Sequence, residues 1–393
     1  MTSFRSLRIG IDGRGIYKTI DGIGRYSLNL IRSLASIDQT NQYIIFKNKE
    51  IKEKIIDAPN FQEIEVDFRH LSMRSLFSLP FLIKKYNLDV FHAPFFIAPL
   101  WGVKNLVVTV HDLMAITFPN FFGGRGYLQE KGAYWYHRIF VPLSIRRAKK
   151  IIAVSQNTKS DLINHLHIDP ENISVIYEAV DDQFKKSHTS SEIERFKRDK
   201  RLPERYFLYA GNMKPYKNIH LIVSALGILK GKGMLKGMLK HKLVIAGRKD
   251  RFFPSIYNEV KDKNLLDDVI FLDYVSDEYL PILFKGADIF IFPSLYEGFG
   301  LPALEAMSLG VPTIVSNASS LPEVVSDGAI IVDSHDPQDL AQAILTLLKD
   351  EDLRKKLSQK GIERSQTFSW KKAAEETFDL YLKVYEENRE KNP

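Results

Sequence analysis

The sequence predicts an α/β protein with two doubly wound parallel sheets, one in each half of the chain. Three observations support this class. Short apolar, β-branched runs alternate with amphipathic helical stretches, as in buried parallel strands joined by helices. At 393 residues the chain is long for one domain, since domains usually hold about 100–200 residues. Its 45% hydrophobic content supplies enough apolar surface for two cores.

Most of the predicted strands are followed by Gly, Asn, Asp or Ser, which favours loops at their carboxyl ends. Seven strands are predicted in the first half, at residues 8–12, 43–46, 64–66, 90–92, 106–111, 151–155 and 173–177. Six are predicted in the second half, at residues 206–210, 243–246, 269–272, 288–292, 313–315 and 329–332. Ligands of open α/β sheets sit outside the carboxyl ends of the strands, so functional residues are expected in the loops that follow them.

Changes in composition predict the domain boundaries. Residues 1–183 form the predicted N-terminal domain and residues 184–368 the C-terminal domain, with the polar, highly charged stretch 181–201 as the linker. Residues 369–393 are predicted to form a helix capped by Ser369. Its apolar positions recur at helical spacing, at Ala374, Phe378, Tyr381 and Tyr385. Such a face must dock, and we expect it to pack back on the N-terminal domain.

The composition excludes several classes of protein. The chain has no cysteine, which excludes a disulfide framework, thiol catalysis and a thiolate metal site. The longest near-apolar stretch, residues 91–103, contains two prolines and is shorter than the about 20 residues of a spanning helix. No apolar segment with a cleavage site for export is found near the amino terminus. We therefore expect a cytoplasmic protein.

The net charge of +7 and the pI of about 9.1 are compatible with nucleic acid, an anionic membrane or phosphorylated substrates as partners. Scattered solvated lysines explain the same excess. Basic and aromatic residues are mixed at residues 74–85 and 127–147. Such faces suit an anionic membrane surface or a lipid-diphosphate acceptor, while ordinary helices with buried aromatic residues remain an equal alternative.

A glycine loop follows the predicted strand 288–292. It contains Glu297, Gly298, Phe299, Gly300 and Leu301, and Pro302 then stands where a helix can begin. Free amides at a helix start, reached past glycines, form an anion site. Glu297 in the loop and Glu305 in the helix would accept hydrogen bonds from hydroxyl groups of a sugar or a ribose. Alternatively, the glycines only turn the chain and both glutamates are exposed.

Two further loops of the N-terminal half hold candidate residues. His111 and Asp112 end the predicted strand 106–111. A lone histidine is more often structural, but the carboxyl end of a parallel strand favours a site role. Gly22, Gly24 and Arg25 belong to a glycine-rich stretch that leads into a helix. A dinucleotide fingerprint there is weak, because a serine replaces the third glycine.

The segment from Glu297 to Glu305 resembles the E-x7-E signature of the retaining glycosyltransferases of family GT4. Residues 210–218 and 316–324 also match the family. The resemblance covers essentially the whole chain and is more specific in the C-terminal half. It implies the GT-B fold, in which two Rossmann-like domains face each other across a cleft. It also implies transfer of a sugar from a nucleotide diphosphate donor, with retention of the anomeric configuration.

The resemblance assigns roles to the signature residues. Glu297 would contact hydroxyl groups of the donor sugar, and Glu305 would contact the ribose of the nucleotide. The backbone of Gly298, Phe299 and Gly300, with Leu301 beside them, would contact sugar and phosphate oxygens. These residues make the C-terminal half the nucleotide-sugar-binding domain, and the N-terminal half the acceptor side.

The loop at residues 211–218 resembles the diphosphate loop of the family. Lys217 would then be the cation on the leaving diphosphate, with Gly211 and Asn212 in the same loop. Many relatives have an arginine where this chain has Asn212. Arg248, after the predicted strand 243–246, is an alternative source of that second positive charge.

Family members often place a histidine beside the donor sugar, which makes His111 the second main catalytic candidate. Asp112 would orient His111 or pack locally. The family also has a glycine loop near the donor phosphate and the acceptor, and this implies binding roles for Gly22, Gly24 and Arg25.

No cofactor and no metal are expected, because the one Asp-x-Asp stretch, residues 350–352, lies in a charged helical segment. The diphosphate loop resembles members that transfer mannose or related hexoses to surface polysaccharides, and this favours GDP-mannose over UDP-sugars. The acceptor would be a glycan or a lipid-linked glycan. Two mechanisms remain open. Either the acceptor hydroxyl attacks on the face that the diphosphate leaves, or the reaction is a double displacement in which Glu297 is the first nucleophile.

Three other functions remain as alternatives. An epimerase of the same fold would isomerise the sugar nucleotide without an acceptor. A basic module that binds nucleic acid or membrane would lack catalysis, and nucleic-acid binding would depend steeply on salt. A dehydrogenase would require the glycine that is missing from the stretch around Gly24.

Overall fold

The computed structural model describes residues 6–17, 22–118, 128–231 and 241–391. The chain divides into two compact units. Unit 1 comprises Met1–Glu178 and Ser369–Pro393, and unit 2 comprises Ala179–Phe368. The chain therefore leaves unit 1 after Glu178 and returns to it with its last helix.

Unit 1 is built on a seven-stranded, parallel sheet in the order β3-β2-β1-β4-β5-β6-β7, as far as the described residues extend. Its strands are β1 Arg8–Asp12, β2 Gln42–Asn48, β3 Phe61–Val66, β4 Val90–Ala93, β5 Leu106–Val110, β6 Lys150–Ala153 and β7 Ile173–Val175. Its helices are α1 Gly22–Ile37, α2 Met73–Phe77, α3 Leu79–Lys84, α4 Met114–Thr117, α5 Leu128–Arg147, α6 Gln156–Leu166 and, at the end of the chain, α15 Trp370–Lys391.

Unit 2 has a six-stranded, parallel sheet in the order β10-β9-β8-β11-β12-β13 within its described residues. Its strands are β8 Tyr206–Ala210, β9 Lys242–Ala246, β10 Val269–Leu272, β11 Ile289–Phe292, β12 Thr313–Ser316 and β13 Ile330–Val332. Its helices are α7 Ser190–Asp199, α8 Ile219–Gly231, α9 Phe253–Asp262, α10 Leu280–Lys285, α11 Leu301–Ser308, α12 Leu321–Val325, α13 Pro337–Lys349 and α14 Glu351–Gln366. The 3₁₀ turn Pro215–Lys217, between β8 and α8, carries a candidate site residue, Lys217.

The predicted fold class is confirmed, and every predicted strand has a counterpart that begins and ends within three residues of the expected limits. In each sheet the chain order reverses beside one strand, β1 next to β4 in unit 1 and β8 next to β11 in unit 2. Loops that leave such neighbouring strands diverge to opposite faces and open a crevice at the carboxyl edge of the sheet. In unit 2, the candidate loop at residues 211–218 follows β8, and the glycine loop that contains Glu297 follows β11.

The prediction that residues 181–201 form a linker is wrong. Residues 190–199 form helix α7, whose capping box joins Thr189 and Glu192 through both backbone and side-chain hydrogen bonds. Phe196 is buried and stacks on Tyr279, with ring centroids 5.9 Å apart. The high charge of the segment belongs to the solvated face of an amphipathic helix of unit 2, because one apolar face is enough to dock it.

The C-terminal helix α15 packs within unit 1, against α1. Ala374 and Tyr381 are buried as predicted, whereas Phe378 and Tyr385 are only half-buried. The hydroxyl group of Tyr381 lies 2.6 Å from His92 Nδ1 on β4. Within the described residues, no helix has the length and apolarity needed to cross a bilayer.

Candidate active site

Lys217 and Glu297 meet at the carboxyl edge of the unit 2 sheet. Lys217 Nζ donates to Glu297 Oε1 at 2.6 Å, and both side chains are buried. The ammonium group also lies over the rings of Tyr216 and Phe292, 5.1 and 4.9 Å from their centroids. Aromatic faces and a carboxylate both stabilise a positive charge that has lost its water. The fold thus brings together two candidate residues that are 80 positions apart in sequence.

Asn218 holds the loop that carries Lys217. Its backbone is left-handed, with φ of 56°, which asparagine tolerates better than most residues. Its side-chain amide donates to the carbonyl groups of Pro293 at 3.1 Å and Ser334 at 2.8 Å. Leu295 N donates to Tyr216 O at 2.7 Å. These bonds tie the diphosphate-like loop to the segment after β11, so the two candidate loops form one structure.

Two glycines let the backbones after β8 and β9 touch. A Cβ atom on Gly247 would lie 1.9 Å from the carbonyl oxygen of Gly211, well inside the contact distance. Gly211 itself has φ of 155°. The sequence analysis assigns no role to Gly247. A glycine directly after an apolar strand can mark a close approach of two backbones, and this was the signal available in the sequence. The close approach fixes where the loop after Gly211 starts.

Two serines after β12 hold the glycine loop at Glu297. Ser319 Oγ accepts from Glu297 N at 3.2 Å and donates to Glu297 O at 2.6 Å. Ser320 Oγ donates to Glu297 O at 3.0 Å and Phe299 O at 2.9 Å. Sequence reasoning matched this serine segment to the family without assigning a role to either residue. Their function here is to fix the loop backbone.

The remaining residues of the loop lead into helix α11. Gly300 precedes the helix with φ of 105°, and a Cβ atom there would lie 2.7 Å from Leu321 Cδ2. Gly298 is half-buried, Phe299 is buried, and Leu301 is the first helical residue. Glu305 lies about one turn further on and is also buried. The expectation that both glutamates are exposed, the alternative to a site, is therefore wrong.

Asn212 and Arg248 are both exposed. Asn212 Oδ1 accepts from Lys214 N at 3.3 Å, and its amide donates to the hydroxyl group of Tyr216 at 3.4 Å. The guanidinium group of Arg248 lies over the ring of Tyr274, 5.5 Å from the centroid. The role of Arg248 as a second cation stays a prediction.

In unit 1, His111 forms two hydrogen bonds through its ring. Nδ1 donates to Glu178 Oε1 at 2.8 Å and Nε2 donates to Pro94 O at 2.9 Å. Burial alone would lower the pKa of His111, but the hydrogen bond to Glu178 and its negative charge outweigh burial, so the pKa is raised. Both hydrogen-bond partners of the ring are acceptors, which also favours its doubly protonated form. The sequence assigns no site role to Glu178, and the available signal is its position directly after the predicted strand 173–177.

Asp112 packs locally. Its carboxylate accepts a hydrogen bond from Met114 N at 2.9 Å, at the start of α4. The charge of Asp112 contributes to the raised pKa of His111, but the partner of His111 Nδ1 is Glu178. The hydrogen bond to Met114 N is local, and the role of Asp112 in orienting His111 stays a prediction.

The predicted glycine stretch near the amino terminus is the start of α1. Gly22 is exposed with open space around it, Gly24 is buried and Arg25 is half-buried. Their binding roles stay predictions. Upstream of them, Arg14 and Asp12 form a fully buried pair, with Arg14 Nη2 2.6 Å from Asp12 Oδ2. Within the described residues, no cluster of three or more histidine or acidic side chains could hold a metal ion.

Two family models match the chain. The model "Glycosyltransferase Family 4" matches residues 20–184, and the model "Glycosyl transferases group 1" matches residues 190–364. The chain belongs to these glycosyltransferases. The matched segments correspond closely to the two sheets, so the recognition from the Glu297–Glu305 signature and the enzyme class are confirmed.

Similar proteins are found by sequence and by structure. The chain is 28% identical over 377 residues to O-antigen chain mannosyltransferase B of Escherichia coli, covering 92% of this chain and 96% of that protein. It is 29% identical over 350 residues to O-antigen chain mannosyltransferase RfbU of Salmonella typhimurium, covering 86% and 88%. The crystal structure of the Anabaena protein HepE in complex with UDP and glucose has a TM-score of 0.73 at 17% identity, covering 95% of this chain and 99% of that one. The structural likeness confirms the GT-B fold.

Proposed function

We propose that this glycosyltransferase transfers mannose from GDP-mannose to a glycan or a lipid-linked glycan, with retention of configuration. The mannosyltransferase names of its relatives from Escherichia coli and Salmonella typhimurium support the sugar and the glycan acceptor. The UDP bound by HepE, a more distant structure, makes UDP-sugars the alternative donors. An epimerase of the same fold is the competing function and would need no acceptor.

The buried pair of Lys217 and Glu297 carries this proposal. A donor diphosphate attracts the ammonium group of Lys217, and the sugar hydroxyls offer Glu297 new hydrogen bonds. Negative charge grows on the diphosphate as it leaves, so a lysine held in place stabilises the transition state more than the ground state. Amides at the start of α11, from Gly298 to Leu301, add dipoles of the same sign.

The contacts of Glu297 support a role in orienting the donor sugar over a role as the nucleophile. Its carboxylate pairs with Lys217 at 2.6 Å, and its backbone is fixed by Ser319 and Ser320. A carboxylate paired with a cation is a weaker nucleophile, which favours attack by the acceptor on the face that the diphosphate leaves. Glu305 is the residue proposed for the ribose hydroxyls, and no metal ion is required.

Turnover of a donor panel tests the function. The protein is incubated with GDP-, UDP- and ADP-sugars, with and without an extract of lipid-linked glycans, and products are followed by NMR of the anomeric proton. We expect an α-mannosyl product from α-linked GDP-mannose, only when the acceptor is present. An isomerised sugar nucleotide formed without acceptor would establish the epimerase instead, and a trapped adduct on Glu297 would establish double displacement.

We also propose that unit 1 contacts an anionic membrane face. On α5, Trp135, Ile139 and Leu143 recur every four residues and are all exposed, so one apolar stripe of the helix faces solvent. Arg138 and Arg146 flank this stripe, and residues 132–147 contain no acidic side chain. Residue 127 of the predicted face lies outside the described residues. The alternative of buried aromatic residues fails for Trp135, which is 59% exposed.

A second exposed group lies on α2, α3 and the following loop. Met73, Phe77 and Phe81 are exposed, and the ring of Phe81 contacts Trp101 edge-on at 4.5 Å. Arg69, Lys84 and Lys85 belong to the same segment and are exposed, and residues 68–88 contain no acidic residue, although Asp67 pairs with Arg74 at 4.0 Å. Both groups border the same loop, because Leu100 N bonds to Leu76 O and Arg147 bonds to Val103 O. Exposed apolar side chains among basic ones fit a surface of anionic lipids.

Flotation with lipid vesicles tests this surface. We expect binding to vesicles that contain phosphatidylglycerol, weaker binding in high salt, and little binding to phosphatidylcholine alone. The double substitution Phe81→Ser and Trp135→Ser should abolish flotation, while Leu266→Ser, which removes an exposed leucine of unit 2, should not. Equal flotation of the double variant and the wild type would contradict the proposal.

A further inference from the structure

The ring of His111 joins the loops that follow three strands of the unit 1 sheet. His111 directly follows β5, Pro94 directly follows β4, and Glu178 lies three residues after β7. The two ring hydrogen bonds, 2.8 Å to Glu178 and 2.9 Å to Pro94, therefore span the carboxyl edge from β4 to β7. Glu178 is also the last residue of unit 1 before the chain enters unit 2.

The two acceptors fix the protonation of the ring. A carboxylate and a carbonyl oxygen both accept, so each ring nitrogen must carry a proton to satisfy its partner. A neutral imidazole has one proton and would leave one of these buried contacts unmet. Such a ring has no lone pair for a general base, in contrast to the usual role of a catalytic histidine.

Two of the other groups around the ring are neutral. His92 on β4 is fully buried, and burial followed by the charge of His111 lowers its pKa to about 3, so it stays neutral. Tyr26 on α1 packs edge-on against the ring at 4.7 Å, and burial raises its pKa, so it is also neutral. Asp112 is a second carboxylate whose charge also raises the pKa of His111, but the hydrogen bond of its Oδ1 is to Met114 N. Glu178 is the carboxylate that touches the ring.

We propose that Glu178 is a positioning residue for sugar transfer, which locks His111 in one orientation and keeps it a fixed cation at the carboxyl edge of the sheet. This inference rests on the proposed function, because His111 is the residue that the family resemblance assigns to the donor sugar. A fixed cation at that place would stabilise negative charge on donor oxygens without a proton transfer. Activity should then depend on the proton of His111 and on the charge of Glu178.

Two substitutions separate charge from geometry. Glu178→Gln keeps a side-chain carbonyl that can accept from Nδ1 but removes the negative charge, so His111 should lose a proton at lower pH. Glu178→Asp keeps the charge on a shorter side chain. Glu171→Gln, at an exposed glutamate before β7, is the matched control. Two-bond ¹H–¹⁵N spectra of histidine-labelled protein distinguish the doubly protonated ring from either neutral tautomer, and the His111→Gln variant assigns the signal.

In the wild type we expect a doubly protonated His111 at pH values above the ordinary histidine pKa of 6.5. In Glu178→Gln the ring should be neutral there, and kcat should fall about tenfold or more, with a smaller change in KM for the donor. Below pH 6.5 the kcat of this variant should recover towards the wild type. Glu178→Asp should retain the wild-type pH profile.

A wild-type His111 that loses its proton with a pKa at or below the ordinary value of 6.5 would overturn the inference, as would superimposable pH profiles of the wild type and Glu178→Gln. If Glu178→Gln does not fold, the wild-type spectrum and the Glu178→Asp profile still decide. Absence of turnover of every sugar nucleotide by the wild type would contradict the proposed function instead, and the spectra would still report the state of the ring.

Discussion

Each unit pairs a basic side chain with a glutamate at the carboxyl ends of its parallel strands, and the two pairs behave differently. In unit 2 the basic residue is a lysine, and Lys217 Nζ lies 2.6 Å from Glu297 Oε1. His111 and Glu178 in unit 1 join a histidine that can lose its proton in or near the neutral pH range. Lys217 is held by a hydrogen bond to Glu297 and by two aromatic rings, whereas the imidazole of His111 is held by two hydrogen bonds. An ammonium group has three protons to donate, whereas an imidazolium ring has two, and His111 already donates both.

The largest expected effect is that of Lys217→Met on kcat. Loss of one positioned donor on developing charge commonly costs about 10²–10³ in kcat, and we expect a decrease of that size in steady-state transfer. Lys261→Gln, at an exposed lysine of α9, should change kcat less than about twofold, since it carries no positioned charge near the pair. A Lys217→Met enzyme with near wild-type kcat would remove the functional difference between the two pairs.

Gly247→Ala should destabilise unit 2. The new Cβ atom would lie 1.9 Å from Gly211 O, so a backbone must move. We expect a loss of about 3 kcal/mol in the free energy of unfolding, the upper part of the usual range for overpacking, measured by urea denaturation. Gly231→Ala is the control, because nothing lies within 4 Å of the corresponding Cβ position. Equal stability of the two variants would show that the contact between β8 and β9 does not constrain the site.

Glu178→Gln should destabilise the protein in a pH-dependent way. The folded pKa of His111 is raised above its unfolded value of 6.5, so the pair contributes fully below pH 6.5 and loses its contribution as pH rises through the folded pKa. The stability difference from the wild type should therefore be about 2 kcal/mol just below the unfolded pKa, the range for a hydrogen bond to a charged group, and shrink at alkaline pH. Urea denaturation across pH measures it, and a constant difference would contradict the charged pair.

Thr189→Ala should have the smallest effect, confined to unit 2. It removes the cap of α7, which typically costs about 1 kcal/mol, and Thr189→Ser should restore the wild-type value. Hydrogen exchange of α7 amides measures this locally. Unchanged exchange would mean that the segment behaves as the linker that the sequence predicted.

The sequence predicts the strands of both sheets and the main candidate residues of the site, but not the residues that hold those candidates in place. Apolar strand runs between amphipathic helices are a local signal, and so is the Glu297–Glu305 signature. Partners of candidate residues are not local: Glu178 reaches His111 across 67 positions, and Ser319 and Ser320 reach Glu297 across more than 20. The wrong prediction of a linker at residues 181–201 has a different cause. The capping box at Thr189 is a local signal for a helix, but the high charge of the segment favoured a linker instead.

The central claim is that the Lys217–Glu297 pair binds the diphosphate of a sugar nucleotide. Isothermal titration of GDP and GDP-mannose into the wild type, Lys217→Met and Lys261→Gln tests it directly. We expect binding to the wild type and to Lys261→Gln, with affinity for both ligands reduced at least about tenfold in Lys217→Met. Equal affinity of Lys217→Met and the wild type, or binding of no nucleotide or nucleotide sugar to the wild type, would contradict the claim.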